Sequence, residues 1–245
     1  MSEGADLGIH PRVALVTGAT SGIGKAAALA LAGEGFLVLV HGRDATRGAA
    51  TVREIEAAGG RARFLGADVS DPEDVARLAS AAGEVDVLVN NAGFSWFGPS
   101  AELDTATFDA LFASNVRAAY QLVAALAPGM VKRGSGSIIS LDSMAGRVGL
   151  AGGAAYGATK AALTAMSRAW AAEYSPAGVL VNTVAPGPVY TGADPELIKQ
   201  LGDTTLLGRA ARAEEIGEVI AFLASPKASY ITGAVIPVDG GRTAI

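Results

Sequence analysis

Tyr156 and Lys160 stand four residues apart in Tyr156-Gly-Ala-Thr-Lys160, thirteen residues after Ser143 and far downstream of the glycine-rich segment Thr17-Gly-Ala-Thr-Ser-Gly-Ile-Gly24. Residues four apart share a helix face. On that face the Lys160 ammonium is expected beside the Tyr156 phenol, favouring the phenolate. A free tyrosine has a pKa of about 10, and a nearby cation lowers it toward the pH at which a proton passes to or from an alcohol or carbonyl. Taken alone, Tyr-x-x-x-Lys is more often an ordinary amphipathic helix face. Its order and spacing relative to Ser143 and the glycine-rich segment predict oxidoreductase chemistry on a nicotinamide cofactor.

Such groups must be positioned by a scaffold. Short apolar runs occur at Val13 to Thr17, Leu37 to His41, Val85 to Asn90, Ser137 to Leu141, Val179 to Val184 and Ala234 to Val238. Between them, helical spacing marks Gly24 to Ala32, Arg47 to Ala58, Asp71 to Ala81, Asp104 to Met130, Ala155 to Tyr174 and Ala213 to Ala224. Continuous rather than alternating apolar strands imply burial on both faces, as in a parallel sheet covered by helices. The alternation predicts an α/β fold, a doubly wound sheet binding ligands at the carboxyl ends of its strands. With no linker or repeat, residues 1–245 read as one Rossmann domain.

The first strand and the glycines after it suit a pyrophosphate at a helix N-terminus, where free N–H groups and the helix dipole favour an anion. Gly18, Thr20, Ser21, Gly22, Ile23 and Gly24 are the expected contacts. At the end of the second strand, where an acid usually holds the ribose 2′-hydroxyl of NAD, the chain reads His41-Gly42-Arg43-Asp44. Gly42 stands in the acid's place and Arg43 suits a 2′-phosphate, so NADP(H) is expected over NAD(H). Asp44 either neutralises Arg43 or addresses the ribose. Lys25 either assists the phosphates or is a surface residue. Asp68 and Val69, after the third strand, have the composition of an adenine-edge contact, and Asn91, Ala92 and Gly93 after the fourth are expected to close over the ribose.

Thr17-Gly-x-x-x-Gly-Ile-Gly24, Asn90-Asn-Ala-Gly93, Asn115, Ser143, Tyr156-x-x-x-Lys160, Pro186-Gly187 and Thr191 together resemble the short-chain dehydrogenase/reductase family over nearly the whole chain. The resemblance implies a Rossmann sheet of about seven strands and hydride transfer to or from a carbonyl. It implies Tyr156 as general acid or base, Ser143 holding the substrate oxygen, Lys160 binding the nicotinamide ribose and depressing the Tyr156 pKa, and Asn115 bending its helix and anchoring a water. It further implies that Pro186 and Gly187 fit the nicotinamide face and that Val189 and Thr191 receive its carboxamide. Family members commonly form homotetramers through the two long helices and the C-terminal segment.

Asp142 departs from the family's small residue before the serine; it either faces the site or points away, toward Arg147. For substrate, Phe94, Trp96 and Tyr190 are candidate apolar walls or packing aromatics. Residues 188–208 have the length of a lid, with Gly192, Gly202 and Gly208 as hinges. In overall sequence the chain resembles 3-oxoacyl-[acyl-carrier-protein] reductases. An acidic carrier protein would need basic residues near the pocket mouth, for which Lys132-Arg133 is the candidate, although the Ser175-Pro-Ala-Gly178 turn is uncharged. A reductase of a free ketone, aldehyde or sugar-like substrate is the alternative, and a catalytically silent NADP sensor the rival of another class.

Composition narrows the rest. The chain has no cysteine, so thiolate catalysis and disulfides are excluded. A net charge of −5, with basic residues scattered, argues against nucleic acid. Met1 to Pro11 lacks a signal-peptide pattern and no apolar stretch approaches the length of a membrane span, so a cytoplasmic location is expected. Neither His10 nor His41 joins a metal-ligand pattern, and no metal is assigned.

Overall fold

A computed structural model describes residues 12–192 and 194–244; the readings on Met1 to Pro11 and the terminal Ile245 lie outside the described residues. In chain order β1 (Val13–Val16) leads into α1 (Gly22–Gly33), β2 (Leu37–Gly42) into α2 (Ala45–Ala57), β3 (Arg61–Gly66) into α3 (Pro72–Ala82), and β4 (Val87–Asn90) into α4 (Thr105–Phe112) and α5 (Ala118–Arg133). Then come β5 (Gly136–Leu141), α6 (Ala154–Tyr174) and β6 (Val179–Pro186). A small excursion of β7 (Val189–Tyr190), α7 (Pro195–Gly202) and β8 (Ala211–Arg212) precedes α8 (Ala213–Ala224) and β9 (Val235–Val238).

Seven strands form one parallel sheet in the order β3-β2-β1-β4-β5-β6-β9. Strand order therefore reverses beside β1 and β4, and at such a switch point the loops diverge and leave a crevice. The alternating side chains of each strand feed two cores. Val16, Val38, Val40 and Val89 pack under α1 and α8, while Leu15, Leu39, Leu88 and Ile138 pack under α3, α5 and α6. β3 is absent from the apolar runs because it is an edge strand: Arg61-Ala-Arg-Phe-Leu-Gly66 alternates exposed and half-buried positions.

The expected helix from Asp104 to Met130 forms as one helical stretch, Thr105–Arg133, capped by Asp104 and widened to a π turn over Ala113–Arg117. This stretch is long and apolar enough to cross a membrane by length and composition, contrary to the expectation that none is. Half of its most apolar window is buried. Leu122, Val123, Leu126 and Met130 pack in the core beneath the sheet, so the apolarity is that of a core helix.

Candidate active site

The first turn is pinned from both neighbouring strands. Gly18 adopts φ +66, and a Cβ there would stand 2.9 Å from Asn91 Nδ2. Thr17 Oγ1 donates to Val89 O (3.1 Å) and accepts from Asn91 N (2.9 Å) and Ala92 N (3.0 Å), which joins the ends of β1 and β4. Asn91 Nδ2 donates to Thr17 O at 2.8 Å. At Gly24 a side chain would run into the Gly18 carbonyl, so only glycine lets α1 begin this close to the turn. Ser21 is the N-cap, and its side chain caps no helix N–H. The first N–H groups of α1 thus remain for an anion, as a dinucleotide pyrophosphate requires.

At the end of β2, a Cβ on Gly42 would stand 2.5 Å from Thr20 Cγ2, so Thr20 occupies the space an acid would need. Asp44 caps α2, accepting from Arg47 N (3.0 Å) and Arg47 Nε (3.1 Å). It therefore serves Arg47 and not Arg43. Arg43 is exposed, with its nearest carboxylate oxygen on Asp68 at 3.9 Å. Bonds from the backbone and side chain of Ser70 hold Asp68 below the usual carboxylate range, with smaller help from Arg43. Both Arg43 and Arg47 line the cleft, and Arg47 was missed because nothing in the sequence shows that the cap turns it inward. Lys25 is bound to Glu54 at 2.6 Å, the surface alternative.

The cleft encloses 780 Å³ and runs from Arg43 and Asp68 past Gly18 to Gly24 to the start of α6. Val69, Ala92, Gly93, Phe94, Tyr156, Lys160, Pro186 and Thr191 also line it. Gly187 does not, lying against Asp239, and Val189 is buried in the core. Tyr190 is half exposed outside the cleft, and Trp96 folds over Gly98. Phe94 is thus the expected aromatic that lines the cleft, and the neighbouring Phe97 packs with its ring 5.5 Å from that of Tyr156. Consecutive aromatics on a loop have no fixed period, so the sequence does not show which one turns inward.

Ser143, at the end of β5, faces the Tyr156 phenol from α6. Lys160 Nζ donates to Leu141 O (2.7 Å) and stands 5.8 Å from the Tyr156 ring centre. This corrects the expected pairing. Burial pushes the Tyr156 pKa up, Asp142 adds to the rise, and only the Ser143 hydroxyl opposes it. Burial brings Lys160 down to about 8 against the pull of Asp142. The protein therefore presents a protonated phenol at neutral pH, suited to giving a proton to a developing alkoxide. Asn115 lies in the π turn, where it accepts from Phe94 N (3.0 Å) and donates to Phe94 O (2.9 Å) and Thr159 Oγ1 (3.0 Å). Its amide ties the loop after β4 to α6.

Asp142 is 3 % exposed and points to α6, not to Arg147: its Oδ2 accepts from Thr164 Oγ1 at 2.9 Å. Leu141 and Asp142 thus clasp Lys160 and Thr164, one helical turn apart, and set the strand end carrying Ser143 against the helix carrying Tyr156. Burial raises the Asp142 pKa. Replacing Asp142 with Asn keeps an acceptor for Thr164 and removes a negative charge, so the Tyr156 pKa should fall. A phenolate absorbance titration, taken as the difference from the Tyr156→Phe protein, checks this; an unmoved or higher midpoint would contradict it.

Among the described residues of the 188–208 segment, β7 pairs with β8 beyond it, and α7 lies between. Gly202 is a packing residue, since a Cβ there would collide with Ala210. Gly192 and Gly208 have positive φ and open surroundings. Lys132 and Arg133 lie at the amino ends of the strands, where Arg133 donates to Val85 O (2.5 Å) and neighbours Asp86, so they are remote from the cleft mouth.

A family model described as enoyl-(acyl carrier protein) reductase matches residues 18–243. The chain is 39% identical over 244 residues to the cis-4-hydroxycyclohexanecarboxylate dehydrogenase of Sinomonas cyclohexanicum, covering 96% of this chain and 97% of that one. It is 35% identical to the 3-oxoacyl-[acyl-carrier-protein] reductase of Thermotoga maritima, with 95% and 98% covered. Among solved structures, a blue fluorescent protein from a metagenomic library in complex with NADPH superposes with a TM-score of 0.87 at 36% identity, over 94% of this chain and 97% of that one.

Proposed function

The chain belongs to the short-chain dehydrogenase/reductase family of NAD(P)-dependent oxidoreductases acting on CH–OH groups, and from that premise we propose that it interconverts a ketone and a secondary alcohol with NADP(H) as the preferred cofactor. When bound, the dinucleotide supplies or accepts the hydride. Ser143 holds the substrate oxygen, Tyr156 gives or takes its proton, and Lys160 addresses the nicotinamide ribose while holding α6 to β5. Pro186 and Thr191 shape the nicotinamide end. The observation that carries the reading is the Tyr156 phenol facing Ser143 at the inner end of a cleft whose outer end holds Arg43 and Arg47.

The NADP preference is supported by the two arginines and by Thr20 filling the place of an acid at Gly42. Replacing Arg43 with Ala should weaken NADPH binding by about tenfold to a hundredfold, the worth of a charged hydrogen bond, and leave NADH binding nearly unchanged. Calorimetric titration with both cofactors measures this; tighter binding of NADH by the wild-type protein would overturn the preference.

For substrate, we propose a 3-oxoacyl thioester first, as acted on by the Thermotoga relative. A free carbocyclic ketone is the second reading, favoured by Phe97 against Tyr156 and by the remoteness of Lys132 and Arg133, which removes the basic patch expected for a carrier protein. NADPH oxidation followed with a 3-oxoacyl N-acetylcysteamine thioester and with 4-oxocyclohexanecarboxylate separates the two; turnover of neither would sink both. A homotetramer is proposed as well, supported by the exposed Phe108 and Tyr120 on the long helices, and sedimentation at the mass of one chain would refute it.

A further inference from the structure

We propose that His41 is a positioning residue for the cofactor, a neutral imidazole latch that holds the pyrophosphate turn to the loop of the adenine pocket. The inference rests on the reading that the cleft binds a nicotinamide dinucleotide. His41 lies on β2 between β1 and β3 and is 2 % exposed. Its backbone carbonyl accepts from Ala19 N (2.8 Å) and its ring Nδ1 from Gly18 N (3.2 Å), so one residue grips the turn twice. On the other edge of the ring, Nε2 lies 3.2 Å from Ala67 O, the residue before Asp68 and Val69.

The partners decide the tautomer. A backbone N–H can only donate and a carbonyl can only accept, so Nδ1 carries the lone pair and Nε2 the proton. Protonation would set an Nδ1–H against the Gly18 N–H and break the grip on the turn. Gly18 has no substitute partner of that kind, because Asn91 holds the Gly18 carbonyl and not its N–H.

The surrounding charges leave the neutral form in place. Burial lowers the His41 pKa from its ordinary value, more than Ala67 and Asp68 raise it. Asp68 stays ionised well below that range and is offset by Arg43. On the β1 side the turn has no ionisable side chain before Lys25, which is bound to Glu54. His41 is therefore the group in this contact that gains charge as pH falls, and burial places that step below the ordinary histidine range.

The test is calorimetric binding of NADPH at pH 8 to the wild-type, His41→Phe and His41→Asn proteins. Phe keeps a ring of similar volume without nitrogen acceptors, and it should raise Kd by about tenfold, the worth of a lost buried hydrogen bond. Asn places Oδ1 near the position of Nδ1 and should recover binding to within about threefold of wild type. A Phe protein that binds like wild type, or an Asn protein as weak as the Phe protein, would overturn the latch. A second arm uses the wild-type chain and NAD+, which has no 2′-phosphate titrating in the same range. Affinity should be flat through neutral pH and fall only in acid, below the ordinary histidine range, while the Asn variant stays flat. A flat wild-type profile, or binding that tightens in acid as an imidazolium attracts the pyrophosphate, would also overturn the proposal. Wild-type protein that binds neither dinucleotide would instead remove the underlying reading, and this is seen before any variant is compared.

Discussion

Replacing Tyr156 with Phe should lower kcat by about a hundredfold to ten-thousandfold, the usual worth of a positioned acid or base, while the Kd for NADPH stays within about twofold. The substitution removes one oxygen and keeps the ring that packs 5.5 Å from Phe97, so the wall of the cleft survives. What disappears is the proton. Tyr156 is half-buried and desolvation raises its pKa, so the free protein carries the phenol in its protonated form through neutral pH. Reduction should therefore be sustained into mildly alkaline solution and fail only as the phenol ionises. Stopped-flow measurement of NADPH oxidation against pH, beside calorimetric binding, checks both halves. Retained turnover in the Phe protein would remove Tyr156 from proton transfer.

Replacing Lys160 with Met should separate stability from activity. Lys160 is buried among α6, β5 and the cleft, and burial holds its pKa at about 8 against an ordinary 10.5. Its charged form is thus disfavoured in the folded chain relative to the unfolded one. The unfolded chain binds more protons between these two values, so stability rises with pH there. Below about pH 8 the full penalty applies, and a Met side chain of similar length escapes it. The variant without cofactor should be more stable than wild type by on the order of 1–3 kcal/mol at pH 7, after the loss of the bond to Leu141 O is set against the gain. The advantage should shrink as pH rises from about 8 toward 10.5. Turnover should fall by about a hundredfold or more, because nothing remains to address the ribose or to fix α6 against the strand end. Urea unfolding across pH gives the first result and kinetics the second. A variant less stable than wild type at pH 7 would show that the Leu141 bond outweighs the buried charge.

Much of the fold was legible from local pattern. Runs such as Val13 to Val16 and Leu37 to Val40 are apolar on every residue, as a strand covered on both faces requires. β3 escaped the same reading because an edge strand buries one face, and its arginines at 61 and 63 face outward. The π turn around Asn115 was legible only as a family expectation of a bend; its cause is the hydrogen bonding of the amide to Phe94 and Thr159, residues 21 and 44 positions away. The excursion of β7, α7 and β8 has too few residues in each element to show a period.

By itself the sequence determined the kinds of chemistry present and their order along the chain: a glycine turn after a first strand, a serine at a strand end, a tyrosine and lysine one helical turn apart. These are local facts, set by spacing along one element. Only the tertiary structure decided which groups act on one another. Lys160 is bonded to Leu141, Asp142 is turned to Thr164, Asp44 serves Arg47, Phe97 packs against Tyr156 while Trp96 folds over Gly98, and His41 joins two loops. Each depends on burial and on partners from other strands and helices. Both the cost of charge in a dry interior and the satisfaction of buried polar atoms are set by what the folded chain brings alongside.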